Sequence, residues 1–199
     1  MPTPNKQIRA VYDDKTIRVY QAYSDAIADT ALAHGTFKSP PFKMERMTWI
    51  KPSFLWMMYR SGWGRKDSGQ NRILALDISR EGFEWALNNS LLSHQAKEFK
   101  DKEAWLKIKK ATPVRIQWDP ERDLDLCPLE HRAIQIGITN EAVNLYVNQW
   151  VKKVTDVTDI AIEIKALVDN NQYSQAKSLL PIELPYLLSQ ETANKIGAE

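Results

Sequence analysis

The segment from Met47 to Gly64 constrains the fold of this chain more than any other part. It reads MTWIKPSFLWMMYRSGWG and holds three of the seven tryptophans and three of the five methionines. Pro52 interrupts the apolar run, because proline cannot donate to a strand ladder and is favoured as the first residue of a helix. We therefore expect a short strand over 47–50, a turn at Lys51–Pro52 and a helix over 53–59.

The same segment also indicates a ligand site. Lys51 and Arg60 lie among three tryptophans, where a purely structural segment would carry Leu, Ile and Val. Flat aromatic faces beside fixed cations are typical of sites for planar, anionic ligands such as nucleotides. We expect Trp49 and Trp63 to stack on such a ligand, and Lys51 and Arg60 to bind its phosphate.

Lys51 has two interpretations. Pro52 holds it at a strand-to-helix junction, beside a helix N-terminus whose N–H groups attract phosphate, and burial among aromatic rings would lower its pKa toward that of a nucleophile. Alternatively, its aliphatic stem covers Trp49 while the ammonium group reaches water. Arg60 likewise either binds a phosphate or offsets the dipole at the end of its helix.

A second group of candidates follows the segment VRIQW. Asp119, Glu121 and Arg122 continue it as DPER, and carboxylates at a strand end suit acid–base or ribose-binding chemistry. The same residues are also good turn formers. Polar side chains within or next to other predicted strands must pair if buried, with each other or with a ligand. They complete the ligand-binding candidates: Gln21, Tyr23, Ser53 and Gln135.

The composition limits the classes of function. A net charge of +2 over 199 residues gives no general excess of basic residues, so a nucleic-acid site would have to be local. The three histidines lack metal-ligand spacing and Cys127 is the single cysteine, so we expect no metal site. One cysteine, no long apolar run and an N-terminus without an apolar core predict a cytoplasmic protein with no membrane segment.

Alternating and helical patterns divide the rest of the chain into elements. Strands are predicted at 8–13 and 16–23, which form a hairpin, and at 72–78, 114–118 and 133–138, with an acidic loop over 119–130. Helices are predicted after Ser24 and Ser79, over 97–110, from Asn140 through Val151, after Thr158 and over 173–180.

This order predicts an α+β fold. We expect about six strands in a mixed or antiparallel sheet, with interleaved helices and a C-terminal helical pair. The domain is expected to span 8–185, with a disordered tail at 1–7 and a loosely attached tail at 186–199.

Five runs carry a resemblance to a known family: RAVYDDKTIRVYQAYS, MTWIKPSFLWMMYRSGWG, LALDISREGFEWAL, VRIQWDPERDL and IQIGI. They resemble the bacterial and fungal family known as domain of unknown function 4291, over nearly the whole chain. The resemblance implies a small single-domain protein in which the lysine of WIKPS, Lys51, is the hallmark. The family has no established activity to carry over.

A second resemblance is to ADP-ribosyltransferase-like folds. VYQAYSDAIADTALAHGTF is similar to their first strand–helix unit, with Gln21 where His or Arg is usual. TWIKPSFLWMMY followed by RILALDI is similar to the second, with Ser53 at the serine position. IQIGI follows Glu-His-Arg instead of the acidic motif of the third unit. The resemblance implies NAD as a candidate cofactor and leaves the catalytic acid in question.

Three hypotheses about function follow. The first is an enzyme acting on a nucleotide-like substrate, with Lys51, Asp119 and Glu121 as catalytic residues. The second is a non-catalytic module that binds RNA or single-stranded nucleic acid, which would show a much steeper salt dependence. The third is a structural interaction domain. The sequence names neither the substrate, nor the reaction, nor the oligomeric state.

Overall fold

Strands and helices alternate along the chain in the computed structural model, which describes residues 3–93 and 101–199. The fold is α+β, as expected. The strands are β1 (Arg9–Ala10), β2 (Thr16–Tyr23), β3 (Thr48–Ile50), β4 (Arg72–Ser79), β5 (Ser90–Leu92), β6 (Val114–Arg122), β7 (Pro128–Ile138), β8 (Val151–Asp156) and β9 (Leu184–Pro185). The helices are α1 (Asp25–His34), α2 (Phe54–Ser61), α3 (Arg80–Asn88), α4 (Lys102–Ala111), α5 (Glu141–Leu145), α6 (Thr158–Asp169), α7 (Tyr173–Leu179) and α8 (Gln190–Ile196), with a π-helical turn at Tyr146–Trp150.

Two sheets meet next to the tryptophan-rich segment. One is antiparallel in the order β2–β4–β8, and the other has the order β3–β7–β6–β5, with β5 and β6 parallel. The backbone N–H of Tyr20 in β2 donates to the carbonyl of Lys51, directly after β3, at 2.7 Å. Lys51 therefore lies where the two sheets join.

Local signals account for the helix that follows this junction. The Ser53 hydroxyl accepts a hydrogen bond from the Trp56 N–H at 3.0 Å and so caps α2. Gly62 ends the helix in the left-handed conformation, with φ of 58°. The strand–turn–helix predicted over this segment is confirmed.

The β2–β4–β8 sheet lies between two apolar clusters. Side chains alternate along β4, so that Leu74 and Leu76 enter one cluster while Ile73 and Ala75 enter the other. The first cluster also takes in α1, α3 and the second sheet, and the second takes in α2, α6 and α7. The site described below lies at the edge between these packed regions.

The β6–β7 hairpin is longer than the sequence predicted. β6 continues through Asp119 and Pro120 to Arg122, with a register shift between Pro120 and Arg122 that accommodates the proline. The acidic loop predicted over 119–130 is therefore confirmed only for 123–127, and the residues on either side of it belong to β6 and β7. Asp119 and Glu121 project from a strand.

The helix predicted from Asn140 through Val151 is also partly wrong. α5 passes into the π-helical turn and ends at Trp150, and Val151 begins β8, which pairs with β4. The apolar side chains of 143–150 do pack inward, as the helical pattern predicted. Long-range pairing with the exposed edge of β4 decides the conformation of the residues that follow.

The two ends of the described chain are held against the fold. The Asn5 carbonyl accepts a hydrogen bond from the Arg132 N–H at 2.7 Å. Tyr186 is buried, and the Trp118 indole N–H donates to the Ile196 carbonyl at 2.8 Å. These contacts correct the expectation of a disordered segment 1–7, as far as it is described, and of a loose segment 186–199.

The predicted hairpin forms next to its turn, with an antiparallel bridge between Tyr12 and Ile17, whereas β1 has a different partner. It pairs with β9 near the end of the chain, because residues 184–186 return to it. The predicted turn still forms, with the Asp13 carboxylate accepting the Thr16 N–H at 2.6 Å. The charged helix predicted over 97–110 appears as α4, while 97–100 lie outside the described residues.

Candidate functional site

A cleft of about 670 Å³ opens beside Lys51. This volume is within the usual range for small-molecule sites. Its walls come from the end of β2, the segment 41–49, α2, the loop 67–70 and the adjacent strands β6 and β7. Six of the sequence candidates line it: Gln21, Tyr23, Trp49, Lys51, Arg60 and Gln135.

Lys51 is the buried cation of this cleft. Its side chain is only 4% exposed, and its Nζ donates to the Trp49 carbonyl at 3.1 Å. Burial, with repulsion from Arg60, lowers the pKa of Lys51 to about 7, although the charge of Asp119 acts in the opposite direction. The amine is therefore only partly protonated at neutral pH. The snorkelling interpretation does not fit a side chain this deeply buried.

The N-terminus of α2 does not serve the cleft. Its Trp56 N–H donates to Ser53, and its Phe54 N–H donates to the Glu183 carboxylate at 2.8 Å. The sequence analysis expected the N–H groups at this helix N-terminus to attract a phosphate. Lys51 therefore lies beside a helix start whose first donors already have partners in the chain.

Exposed cations surround the mouth of the cleft. Lys43 and Arg46 on the proline-containing segment and Arg60 at the end of α2 all line it. None of the three forms an ion pair with a carboxylate of the described residues. Asp67 is the one carboxylate that the described lining contributes, and its oxygens accept from Gly69 and Gln70. The cleft is positively charged.

Gln21 is held firmly by its neighbours. Its amide nitrogen donates to the Thr48 hydroxyl at 2.7 Å, and its amide oxygen accepts from the buried Tyr146 hydroxyl at 2.7 Å. The Tyr23 hydroxyl joins the same network, and burial raises the pKa of Tyr23 to about 12. Tyr23 therefore stays protonated, and this part of the wall is a rigid, neutral hydrogen-bonding surface.

Two more amides line the cleft from the β6–β7 hairpin. Gln117 and Gln135 lie opposite each other in register. Both donate to Asp119, Gln135 at 2.6 Å and Gln117 at 3.2 Å. Asp119 thus orients the two amides, while the candidate role as a catalytic acid or base stays a prediction.

Trp49 forms one wall because β7 carries a glycine beneath it. A Cβ atom added at Gly137 would lie 2.9 Å from the Trp49 ring and 3.0 Å from the Met47 sulfur. The indole therefore packs directly on the backbone of β7. Of the three tryptophans in the segment, Trp49 alone lines the cleft in the described structure.

Trp56 and Trp63 pack elsewhere. Trp63 is 3% exposed and belongs to the apolar cluster with Phe54, with ring centroids 6.4 Å apart. Trp56 packs edge-on against Tyr59, also away from the cleft. The expected stacking of Trp63 on a ligand does not fit its buried position.

Glu121 and Ser53 border a different, water-sized pocket of about 10 Å³. The Ser53 hydroxyl donates to the Glu121 carboxylate at 2.8 Å. Burial raises the pKa of Glu121, and burial with the nearby Glu121 charge raises the pKa of Glu183 to about 8. The structure therefore does not bring Glu121 into the cleft that Lys51 lines.

Arg122 also lies outside the cleft. Its guanidinium carbon stands 3.6 Å from the centroid of the Tyr59 ring, and one nitrogen donates to the Leu126 carbonyl. These contacts fasten the β6–β7 hairpin to α2. The position of Arg122 therefore does not support its predicted ligand-binding role.

Comparison with known protein families gives a match over most of the chain. The family described as Domain of unknown function (DUF4291) matches residues 7–186. The chain belongs to the DUF4291 family. A search of curated proteins finds no match to the chain.

Two further observations on the DUF4291 chain concern membrane-spanning helices and metal-binding groups. Over 3–93 and 101–199, no helix is both long and apolar enough to cross a bilayer. In the same ranges, His, Cys, Asp and Glu side chains form no group of three that could hold a metal ion.

Sequence reasoning missed part of the DUF4291 site. Lys43 and Arg46 follow two prolines in an irregular segment, where no periodicity indicates which way a side chain points. The strand pattern could have identified Gln117, because it lies two residues before Asp119 and therefore on the same face of β6. Glu183 reaches α2 from 129 residues away, and no local signal marks such a contact.

Proposed function

We propose that this domain binds a nucleotide-type ligand, with a planar base and at least one phosphate, in the cleft beside Lys51. The supporting observation is that four cations and one exposed tryptophan face share a cleft of about 670 Å³. Three of these cations, Lys43, Arg46 and Arg60, have no carboxylate partner among the described residues. Unpaired cations beside an aromatic face complement a phosphate joined to a base.

A pocket ligand is favoured over a long nucleic-acid strand. Lys51 is buried and lines the cleft, and the net charge of the whole chain is only +2. A groove that follows a strand needs a row of exposed cations, and its affinity falls steeply with salt. We therefore place RNA or single-stranded nucleic acid second and use it as a competitor in the test.

NAD is the nucleotide that would connect this site to ADP-ribosyltransferase-like chemistry. In an enzyme of that kind, Lys51 is the catalytic candidate that lines the cleft, Asp119 holds two amides that line it, and Glu121 borders the separate pocket. The domain is proposed to work in the cytoplasm, which suits its single, exposed Cys127.

The test is a titration of NAD, ATP and a short RNA at two salt concentrations, followed by tryptophan fluorescence. A base that stacks on Trp49 is expected to quench its emission, and Trp49→Phe is expected to remove that signal. Arg60→Gln is expected to weaken nucleotide binding about tenfold, the value of one charge-assisted hydrogen bond. Arg65→Gln is the matched control, because Arg65 is an exposed arginine just beyond α2 that does not line the cleft.

Saturable quenching by a nucleotide with weak salt dependence supports the proposal. Steep salt dependence with RNA alone favours the nucleic-acid module. If none of the three ligands quenches at millimolar concentration, the nucleotide proposal is rejected in favour of an interaction domain.

A further inference from the structure

The Lys51 side chain lines the cleft and has few partners that would stabilise its protonated form. The Trp49 carbonyl, at 3.1 Å, is the acceptor that the described structure gives it, and no described carboxylate forms an ion pair with it. An ammonium group has three donors, and burying it without a carboxylate is costly. The environment therefore favours the neutral amine.

The neighbouring charges agree with this. The charge of Asp119 favours the ammonium form of Lys51, but Asp119 forms no ion pair with it in the described structure. The two Asp119 oxygens instead accept hydrogen bonds from the side-chain amides of Gln117 and Gln135. Arg60 repels a second positive charge at this position. With a pKa of about 7, roughly half of the molecules carry a free lone pair at this position at neutral pH. Burial next to another cation is a known way to activate a lysine nucleophile.

We propose that Lys51 forms a Schiff base with the aldehyde carbon of a phosphate-bearing sugar bound in the cleft, an inference that rests on the nucleotide binding proposed above. The amine lone pair attacks the carbonyl carbon, and the carbonyl π electrons move to oxygen, which takes up a proton. Nitrogen gives up both of its protons in the course of the reaction, the hydroxyl group takes up a second proton and leaves as water, and a carbon–nitrogen double bond forms. The sum is aldehyde plus amine giving imine plus water, so no oxidant or reductant is needed.

The cleft determines the class of substrate. Lys43, Arg46 and Arg60 at its mouth suit one or two phosphates, and Trp49 suits a base. The oriented amides of Gln117 and Gln135 line the same cleft as Lys51, where sugar hydroxyls would lie. A nucleotide whose terminal sugar has a free anomeric carbon joins all three parts, because such a sugar opens to an aldehyde.

ADP-ribose is the probe, and reductive trapping is the measurement. Wild-type protein is incubated at pH 7 with ADP-ribose and sodium cyanoborohydride, which converts an imine to a stable secondary amine, and modified peptides are mapped by mass spectrometry. We expect at least about tenfold more adduct on Lys51 than on the exposed lysines Lys152 and Lys153, because Lys51 lines the cleft that holds the sugar and neither of the other two does. ADP has the phosphates without the reducing sugar, and it is expected to bind and give no adduct.

Lys51→Arg is the matched variant, since it retains a cation for binding and cannot form an imine. It is expected to lose the adduct at this position. Peptide mapping on the wild-type protein keeps the test valid even if the variant folds poorly.

Each outcome separates this inference from the proposal it rests on. Quenching by ADP-ribose without an adduct on Lys51 overturns the Schiff base and leaves nucleotide binding intact. Equal labelling of Lys51, Lys152 and Lys153 also overturns it. If neither ADP nor ADP-ribose binds, the proposed function fails together with the inference.

Discussion

The turn from Lys51 to Ser53 borders two pockets that hold opposite kinds of titratable group. On one side, the buried Lys51 has a pKa lowered to about 7 and faces an open cleft of about 670 Å³. On the other, Glu121 borders a pocket of only about 10 Å³, and burial together with the charge of Glu121 raises the pKa of Glu183 to about 8. Burial disfavours the charged form of either group.

The difference between the two pockets lies in access. The carboxylates of Glu121 and Glu183 accept hydrogen bonds from Ser53 and Phe54, and little space remains for a ligand. Lys51 has one carbonyl acceptor and an adjoining cleft large enough for a nucleotide. Burial therefore acts on both groups, but Glu183 already accepts a hydrogen bond from the start of α2, whereas Lys51 remains available to a ligand.

Lys51→Met is expected to give the largest effect on stability. The pKa of Lys51 is lower in the folded state than in the unfolded chain, so the unfolded state binds more protons between about pH 7 and 10. Wild-type stability is therefore expected to rise over this range relative to Lys51→Met, by up to about 1.4 kcal/mol per pH unit and about 4 kcal/mol in total. Urea unfolding of both proteins at pH 6, 8 and 10 measures the difference, and parallel curves would contradict the low pKa.

Glu183→Gln is expected to show the mirror-image dependence. The pKa of Glu183 is higher in the folded state, so its contribution is complete below about pH 4.5 and is lost as pH rises through about 8. Wild type is expected to lose about 4 kcal/mol relative to the glutamine variant across this range. Glutamine keeps an acceptor for the Phe54 N–H, so helix α2 remains capped. Denaturant titrations of both proteins at pH 5 and 8 measure this difference. If the variant is less stable than wild type at pH 8, Glu183 is ionised in the folded state and the raised pKa is contradicted.

Gly137→Ala is expected to affect the cleft selectively. The new methyl group would lie within 3.0 Å of Trp49 and Met47, which must shift at a cost of about 2 kcal/mol. Nucleotide affinity is expected to fall several-fold as Trp49 moves. Gly35→Ala is the control, since it strains a left-handed residue with no atom within 4 Å of the new methyl group. Equal affinities in the two variants would mean that Trp49 does not contact the ligand.

Arg122→Gln is expected to have the smallest effect. Loss of the contact with Tyr59 is expected to cost about 1 kcal/mol of stability. Nucleotide affinity is expected to stay unchanged, because Arg122 does not line the cleft. Fluorescence titration measures the nucleotide affinity of the variant, and thermal unfolding measures its stability. Weaker binding with unchanged stability would support the ligand-binding role that the sequence predicted.

The sequence predicted those parts of the fold and site that local signals determine. Pro52, Ser53 and Gly62 mark the strand–turn–helix, and the polar alternation of β2 and β7 indicated Gln21 and Gln135. The indole pattern alone did not separate Trp49 from Trp63, because both lie in one apolar run and only packing places Trp63 in the core.

The remaining features depend on contacts between distant parts of the chain. β8 forms because the edge of β4 is available, and Tyr186 is buried because β9 returns to β1. Glu183 meets α2 across more than half of the sequence. Propensity carries no information about such partners, since pairing over long separations is decided by the assembled fold.

The pKa of the Lys51 amine, with and without ADP, tests the central claim most directly. NMR of protein labelled with ¹³C at the lysine side chains gives this value, with Lys51→Arg used to assign the signal. We expect a pKa near 7 in the free protein and a clear rise when a phosphate-bearing ligand occupies the cleft, because a nearby anion favours the ammonium form. A value near that of an exposed lysine, unchanged by ADP, would contradict both the buried neutral amine and its place in the ligand site.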